Sequence, residues 1–139
     1  MIAVIGTNVL LDYVLGREPG ATAAKECLDT LVARKTKLWI PTRALTDIFL
    51  ATMQARYDTY SARVIISKLL NAFQVIATDK ADCIRALELD MEDFEYALTA
   101  TGAKRLKAAY IITQNPEGYR NSPVEAITPE EWVRVYGKG

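Results

Sequence analysis

The chain has no histidine. Histidine general bases and histidine metal ligands are therefore excluded from any chemistry it performs. Cysteine occurs only at Cys27 and Cys83, too few to build a thiolate zinc site unaided. Both fall in helix-like apolar segments and read as buried free thiols. An excess of either charge is also missing: 17 Lys and Arg face 17 Asp and Glu. That balance argues against attachment to nucleic acid by bulk electrostatics, so any such contact must be local. No apolar run approaches the ~18 residues of a membrane span. Met1 to Ile5 read as a short buried strand, not as the apolar part of a secretion signal, so the expected location is cytoplasmic, with no membrane partner. Repeats, low-complexity tracts and linkers are absent too.

Half of the 139 residues are apolar. A domain of this size buries roughly 68% of the surface its unfolded chain exposes, enough for a core without staples. The expectation is one domain over residues 1–139.

Ile2-Ala-Val-Ile5 is a continuous apolar run of strand length. Thr7 and Asn8 offer capping chemistry for a helix carrying Val9, Leu10, Tyr13 and Val14, which Gly16-Arg-Glu-Pro-Gly20 breaks. A second helical pattern covers 21–35, and Leu38-Trp-Ile40 is a second strand closed by Pro41. Thr42 opens a helix whose inner face is expected to carry Leu45, Phe49 and Met53. Asp58 or Thr59 opens the next, with Ala62, Ile65, Ile66, Leu69 and Leu70 inside. Phe73-Gln-Val-Ile76 is a third strand, and Thr78-Asp79 caps a helix through Ile84 and Leu87. Asp90 is expected to begin a helix reaching about Lys107. Ala109-Tyr-Ile-Ile112 and Val124-Glu-Ala-Ile127 are strands four and five, and Thr128-Pro-Glu-Glu131 starts a last helix with a capping box.

Short apolar strands alternating with helices predict an α/β fold: three layers, with a parallel sheet of four or five strands in order 3-2-1-4-5. Ligands of such sheets bind beyond the carboxyl ends of the strands, where strand order reverses. Gly6-Thr7-Asn8 and Thr113-Gln114-Asn115 sit at two such ends.

Four segments resemble, in order, the motifs of the PIN-domain family, in the manner of the VapC-like toxin ribonucleases. They are Val4-Ile5-Gly6-Thr7-Asn8-Val9-Leu10-Leu11-Asp12, Ile40-Pro41-Thr42-Arg43-Ala44-Leu45-Thr46-Asp47-Ile48-Phe49, Asp93-Phe94-Glu95-Tyr96-Ala97-Leu98, and Ile112-Thr113-Gln114-Asn115-Pro116-Glu117-Gly118-Tyr119. The resemblance covers nearly the whole chain. It implies a metal-dependent ribonuclease fold, commonly a homodimer and commonly paired with a small antitoxin protein, with RNA as substrate. It also implies Mg²⁺ or Mn²⁺ held by three or four carboxylates, since hard divalent ions want oxygen ligands. Such ions generate a hydroxide nucleophile and stabilise charge on the phosphoryl group.

The departures from that pattern bear on activity. Gly6 stands where the family has an aspartate, Tyr96 where it has another, and Asn115 and Gly118 occupy the fourth motif's acidic positions. Asp47 takes the place of a glutamate and is the one expected carboxylate left, hence the one candidate metal ligand. Asp93 and Glu95 are neighbouring acids that could serve with it as catalytic residues. Glu95 is offset by about 100° around a helix from the motif position, whereas Asp93 lies near that position's face. Asp90 and Asp93 also suit a capped helix N-terminus. Thr7, Asn8 and Asn115 are candidate substrate contacts, Thr7 and Asn8 being expected to orient their turn as caps do. Gly6 reads as a place needing positive φ or close approach. Tyr96 could donate its hydroxyl to Asp47. Asp12, one turn after Asn8, reads as solvated or as support for the site.

Lys104-Arg105-Leu106-Lys107 reads as a solvated helix end or a phosphate contact, and Arg56, Tyr57, Tyr60 and Arg63 as an interface or RNA-facing surface. The sequence thus leaves three functions open: a PIN-fold protein with lost or strongly reduced nuclease activity, an active Mg²⁺- or Mn²⁺-dependent endoribonuclease with a rearranged acidic site, and a non-catalytic interaction module.

Overall fold

In the computed structural model, which describes residues 1–56 and 58–137, the apolar runs become five parallel strands: β1 (Ile2–Ile5), β2 (Lys37–Pro41), β3 (Gln74–Ile76), β4 (Tyr110–Ile112) and β5 (Ala126–Ile127). Their order is β3-β2-β1-β4-β5, as the alternating pattern predicts. The strands at both ends of the sheet are one to two residues shorter than their apolar runs. Between them run α1 (Thr7–Leu15), α2 (Gly20–Ala33), α3 (Thr42–Arg56), α4 (Thr59–Ala72), α5 (Lys80–Glu88), α6 (Phe94–Arg105) and α7 (Pro129–Tyr136), with a 3-10 turn at Pro116–Tyr119.

Side chains of a strand alternate between faces, and the core divides accordingly. Ala3 and Ile5 of β1 and Ile112 of β4 join one apolar cluster with residues of α1, α2, α3, α4 and α7, including Trp132. Val4 and Ile111, the intervening residues, join a second cluster with Ala100 and Ala103 of α6, Tyr119 and Val124. The helices therefore lie in two layers. The α6 layer is built from small residues for a steric reason: a Cβ at Gly102 would come 2.8 Å from the Ile76 side chain. Helix α1 stops at Gly16, which adopts the left-handed φ of 66° that other residues avoid and returns its N–H to Asp12 O.

Several local expectations shift. Helix α3 turns Ala44, Ile48 and Thr52 fully inward, leaving Leu45, Phe49 and Met53 only half-buried. The buried stripe lies one residue out of phase with the expected one. In α4, Leu69 is buried but Leu70 is 51% exposed, because the next position lies 100° further round. Helix α6 begins after Asp93, not at Asp90: Asp93 accepts from the Tyr96 N–H at 3.0 Å, while the Asp90 carbonyl is taken by Asn121. Asp79, not Thr78, caps α5, in a reciprocal box with Asp82. Thr128 caps α7 by accepting from the Glu131 N–H. Among the described residues no helix is long and apolar enough to cross a membrane.

Candidate functional site

β1 and β4 are adjacent, and the Gly6 N–H donates to Ile112 O at 2.8 Å. Gly6 and the start of the 113–115 loop are thereby locked together at the carboxyl edge of the sheet. A cavity of about 160 Å³ opens there, lined in part by Gly6, Thr7, Asn8, Asp47, Asp93 and Glu95. Asn115 does not line it. It lies in an adjoining open groove of about 1160 Å³ with Asp90, Glu117 and Gly118, and Asp93 and Tyr96 border both spaces.

Thr7 and Asn8 do not cap α1. The cap position is Gly6, without a side-chain hydrogen bond, and Thr7 is already helical. Asn115 does act as a cap: its side chain accepts from the Gly118 N–H at 3.3 Å, and its own N–H donates to Thr113 Oγ1 at 3.1 Å. Asp12 takes Arg17 at 3.1 Å and the Gln114 side chain at 3.3 Å, tying α1 to the loop after β4.

Gly6 does not need its positive-φ freedom, since its φ is −70° and its ψ 157°. A Cβ would meet Ile112 O at 3.1 Å, a tight contact that a few tenths of an ångström relieve. Gly118 is different. A Cβ there would sit 2.4 Å from a ring carbon of Tyr96 and 2.8 Å from Asn115 Nδ2. The ring cannot swing away freely, because Tyr96 stacks on Tyr119 with centroids 4.6 Å apart and planes 11° from parallel. Tyr96 therefore engages Tyr119 instead of donating to Asp47, and the aromatic at 96 requires the glycine at 118. Burial pushes the Tyr119 hydroxyl far above its ordinary range, with neighbouring Thr99 opposing.

Two of the three acids of the cavity, Asp47 and Glu95, are bridged by Arg43. Its Nη1 lies 3.0 Å from Glu95 Oε2, and its Nε lies 3.6 Å from Asp47 Oδ2. Glu95, despite its helical offset, faces the same space as Asp47. Desolvation raises its carboxyl above the ordinary 4.5; Arg43 pulls it down, and Asp47 and Asp93 push it up again. The donor set does not suit a divalent ion. Asp47 and Glu95 share a guanidinium, Asp93 is engaged by a backbone N–H, and Gly6, Tyr96 and Gly118 bring no carboxylate. Among the described residues no three acids or cysteines are grouped as metal ligands.

Arg43 and the Tyr96–Tyr119 stack were not singled out from the sequence. A signal for Arg43 existed: a cation in a helix's first turn opposes the macrodipole and so wants another explanation. At the other end of α6, Arg105 of the basic run is committed to Asp82 and to Ala77 O. Tyr57 of the proposed aromatic surface lies outside the described residues, and Tyr60 is 76% exposed.

A family model described as the PIN domain matches residues 3–117. A search of curated proteins returned no match. Among solved structures, VapBC2 from Rickettsia felis bound to a promoter DNA fragment includes a chain of TM-score 0.69 and 15% identity, covering 92% of this chain and 98% of that one. A toxin–antitoxin complex from Klebsiella pneumoniae gives 0.67 at 20% identity, with 93% and 98% covered. PAE2754 from Pyrobaculum aerophilum gives 0.63 at 20% identity, with 99% and 97% covered. At these identities the likeness is one of fold.

Proposed function

Because the chain belongs to the PIN-domain family, we propose that it is a relative of the toxin–antitoxin ribonucleases whose own nuclease activity is lost or strongly reduced. One observation carries this reading: two of the three acids lining the cavity, Asp47 and Glu95, are bridged by Arg43. Without several free carboxylates, no Mg²⁺ or Mn²⁺ is held where a water could be activated against a phosphodiester. The chain as it stands should not degrade unstructured RNA above a buffer control with Mn²⁺ present. Gly6→Asp and Tyr96→Asp together should return metal binding and some cleavage, and either alone much less, since such acids act as one unit. Cleavage by the unaltered chain, abolished by Asp47→Ala, would overturn the reading.

A second reading, an endoribonuclease with a rearranged site, draws on the fact that Asp47, Asp93 and Glu95 line one cavity. The same assay decides it. Under either reading the whole of 1–139 is one domain, cytoplasmic, with Thr7, Asn8 and Asn115 as the positions offered to RNA.

The retained role is partner binding, in the limit that of a pure interaction module. The Klebsiella neighbour is a toxin–antitoxin complex, which favours a small antitoxin protein as partner here. For a homodimer the candidate surface is α3 with α4, where Leu50, Tyr60 and Leu70 are exposed. Light scattering after size-exclusion chromatography should give a dimer at high micromolar concentration; a clean monomer would remove that part of the proposal.

A further inference from the structure

Local helix physics gives Arg43 no reason to be where it is. It is the second residue of α3 (Thr42–Arg56), whose first turn has no acid. A cation there faces the positive end of the helix dipole. Its partner at i+4, Asp47, lies C-terminal to it, the less favourable order for such a pair. The guanidinium nevertheless crosses from α3 to α6 and reaches Glu95 at 3.0 Å. The two carboxylates come from different helices and line the same cavity at the strand ends. Arg43 itself lines the adjoining groove with Asp93 and Glu95; what it gains there is the negative field of these acids, and what the cavity gains is a positive charge at its border.

We infer that Arg43 is the resident counter-ion of this cleft: its guanidinium neutralises Asp47 and Glu95 together, clamps α3 to α6, and by occupying both acids keeps a divalent cation out. This deepens the reading of a disarmed nuclease and rests on it. The missing acids and Arg43 then form one arrangement, in which a tethered cation replaces a diffusible one. A surface ion pair of no consequence would be indifferent to which cations are present; a resident counter-ion competes with them.

The test is a Mn²⁺ titration of the full chain, following the electron paramagnetic resonance signal of the free ion. The unaltered chain should take up Mn²⁺ weakly. Arg43→Gln should bind it about tenfold more tightly, the effect expected when one adjacent unit charge is removed from a solvent-screened site. Arg43→Lys, which keeps the charge, should stay close to the unaltered chain. Adding Glu95→Gln to Arg43→Gln should abolish the gain. Arg43→Met, which keeps an aliphatic stem, gives the same reading should the glutamine variant fail to fold by circular dichroism.

Equal uptake by the unaltered chain and both neutral variants would overturn the inference, because Arg43 would then mask nothing. Tight uptake by the unaltered chain would overturn it as well. If that uptake comes without RNA cleavage, only the counter-ion fails and the inactive reading stands. Cleavage by the unaltered chain brings down the inactive reading itself.

Discussion

Helix α6 carries an arginine–carboxylate pair at each end, and the two are built differently. At its C-terminal end Arg105 grips Asp82 through two contacts, Nε to Oδ1 at 3.2 Å and Nη2 to Oδ2 at 3.1 Å. The cation sits where the helix dipole favours it, and Arg105 also donates to Ala77 O at 2.6 Å. Asp82 is 3% exposed and completes the capping box of α5. Burial works against its charge, yet Arg105, the Asp79 N–H and Arg85 together hold its carboxyl below the ordinary 3.8. At the N-terminal end Arg43 touches Glu95 once, sits on the wrong side of its own helix's dipole, and leaves the Glu95 carboxyl raised. The first pair satisfies every local rule and is a structural joint. The second satisfies few, and charges held against local preference are characteristic of functional sites, working or inherited.

The largest effect should come from breaking the joint. Asp82→Ala removes a buried carboxylate and half of a capping box. Arg105 is 41% exposed and can partly rehydrate, so the loss should be about 2–3 kcal/mol, at or below the low end for a broken buried pair. Arg43→Ala should cost less than about 1 kcal/mol, as exposed pairs do. Urea denaturation of both variants checks the order. Equal losses would erase the distinction between joint and site.

The glycine of the fourth motif offers a smaller but sharper test. Gly118→Ala drives a Cβ against the stacked Tyr96 ring and should cost about 1–2 kcal/mol, as overpacking does. With Tyr96→Ala already made, the same change should cost clearly less, the contact left being the Asn115 side-chain amide at 2.8 Å. A double-mutant cycle reads that coupling directly. Additive losses would show that the ring moves aside freely, and that the tyrosine and the glycine were independent replacements. The cycle also bears on reactivation: an acid at 118 has room only after position 96 has given up its ring.

The sheet was legible because continuous apolar runs such as Ile2-Ala-Val-Ile5 have one economical use, burial on both faces. Crossover rules fix the hand of each connection and leave a handful of strand orders, of which 3-2-1-4-5 is one. Helix phase was less legible. In α3 the bulky Leu45, Phe49 and Met53 advertise a stripe, but Ala44, Ile48 and Thr52 are the residues fully buried, and the small Ala44 and polar Thr52 carry little periodic signal. Asp90 and Asp93 are equally good caps on paper, and only the Tyr96 N–H decides between them. Within the site, residue types could be read and pairings could not. That Arg43 would meet Glu95, or that Tyr96 would lie on Tyr119 and exclude a side chain at 118, depends on helices brought together only by the finished fold.

The smallest expected effect separates the two pairs by sign. A carboxyl whose value is raised on folding binds its proton more tightly in the native state. Its stabilising contribution is therefore complete below the unfolded value and is lost as pH rises through the folded one. For Glu95 the window opens at the ordinary 4.5 and extends upward. Asp82 is the reverse: its contribution is present above 3.8 and is lost as pH falls through its lowered folded value. Denaturation midpoints followed from pH 7 down to 3 should thus show the unaltered chain gaining on Glu95→Gln as pH approaches 4.5. The same chain should lose its advantage over Asp82→Asn only below 3.8. Solvent reaches about a third of the Glu95 side chain (32% exposed), so its gain should stay under about 1 kcal/mol. A Glu95 difference that instead shrinks on acidification would mean that Arg43 outweighs desolvation and the neighbouring acids. The pair at the cleft would then be a second structural joint, and the contrast along α6 would disappear.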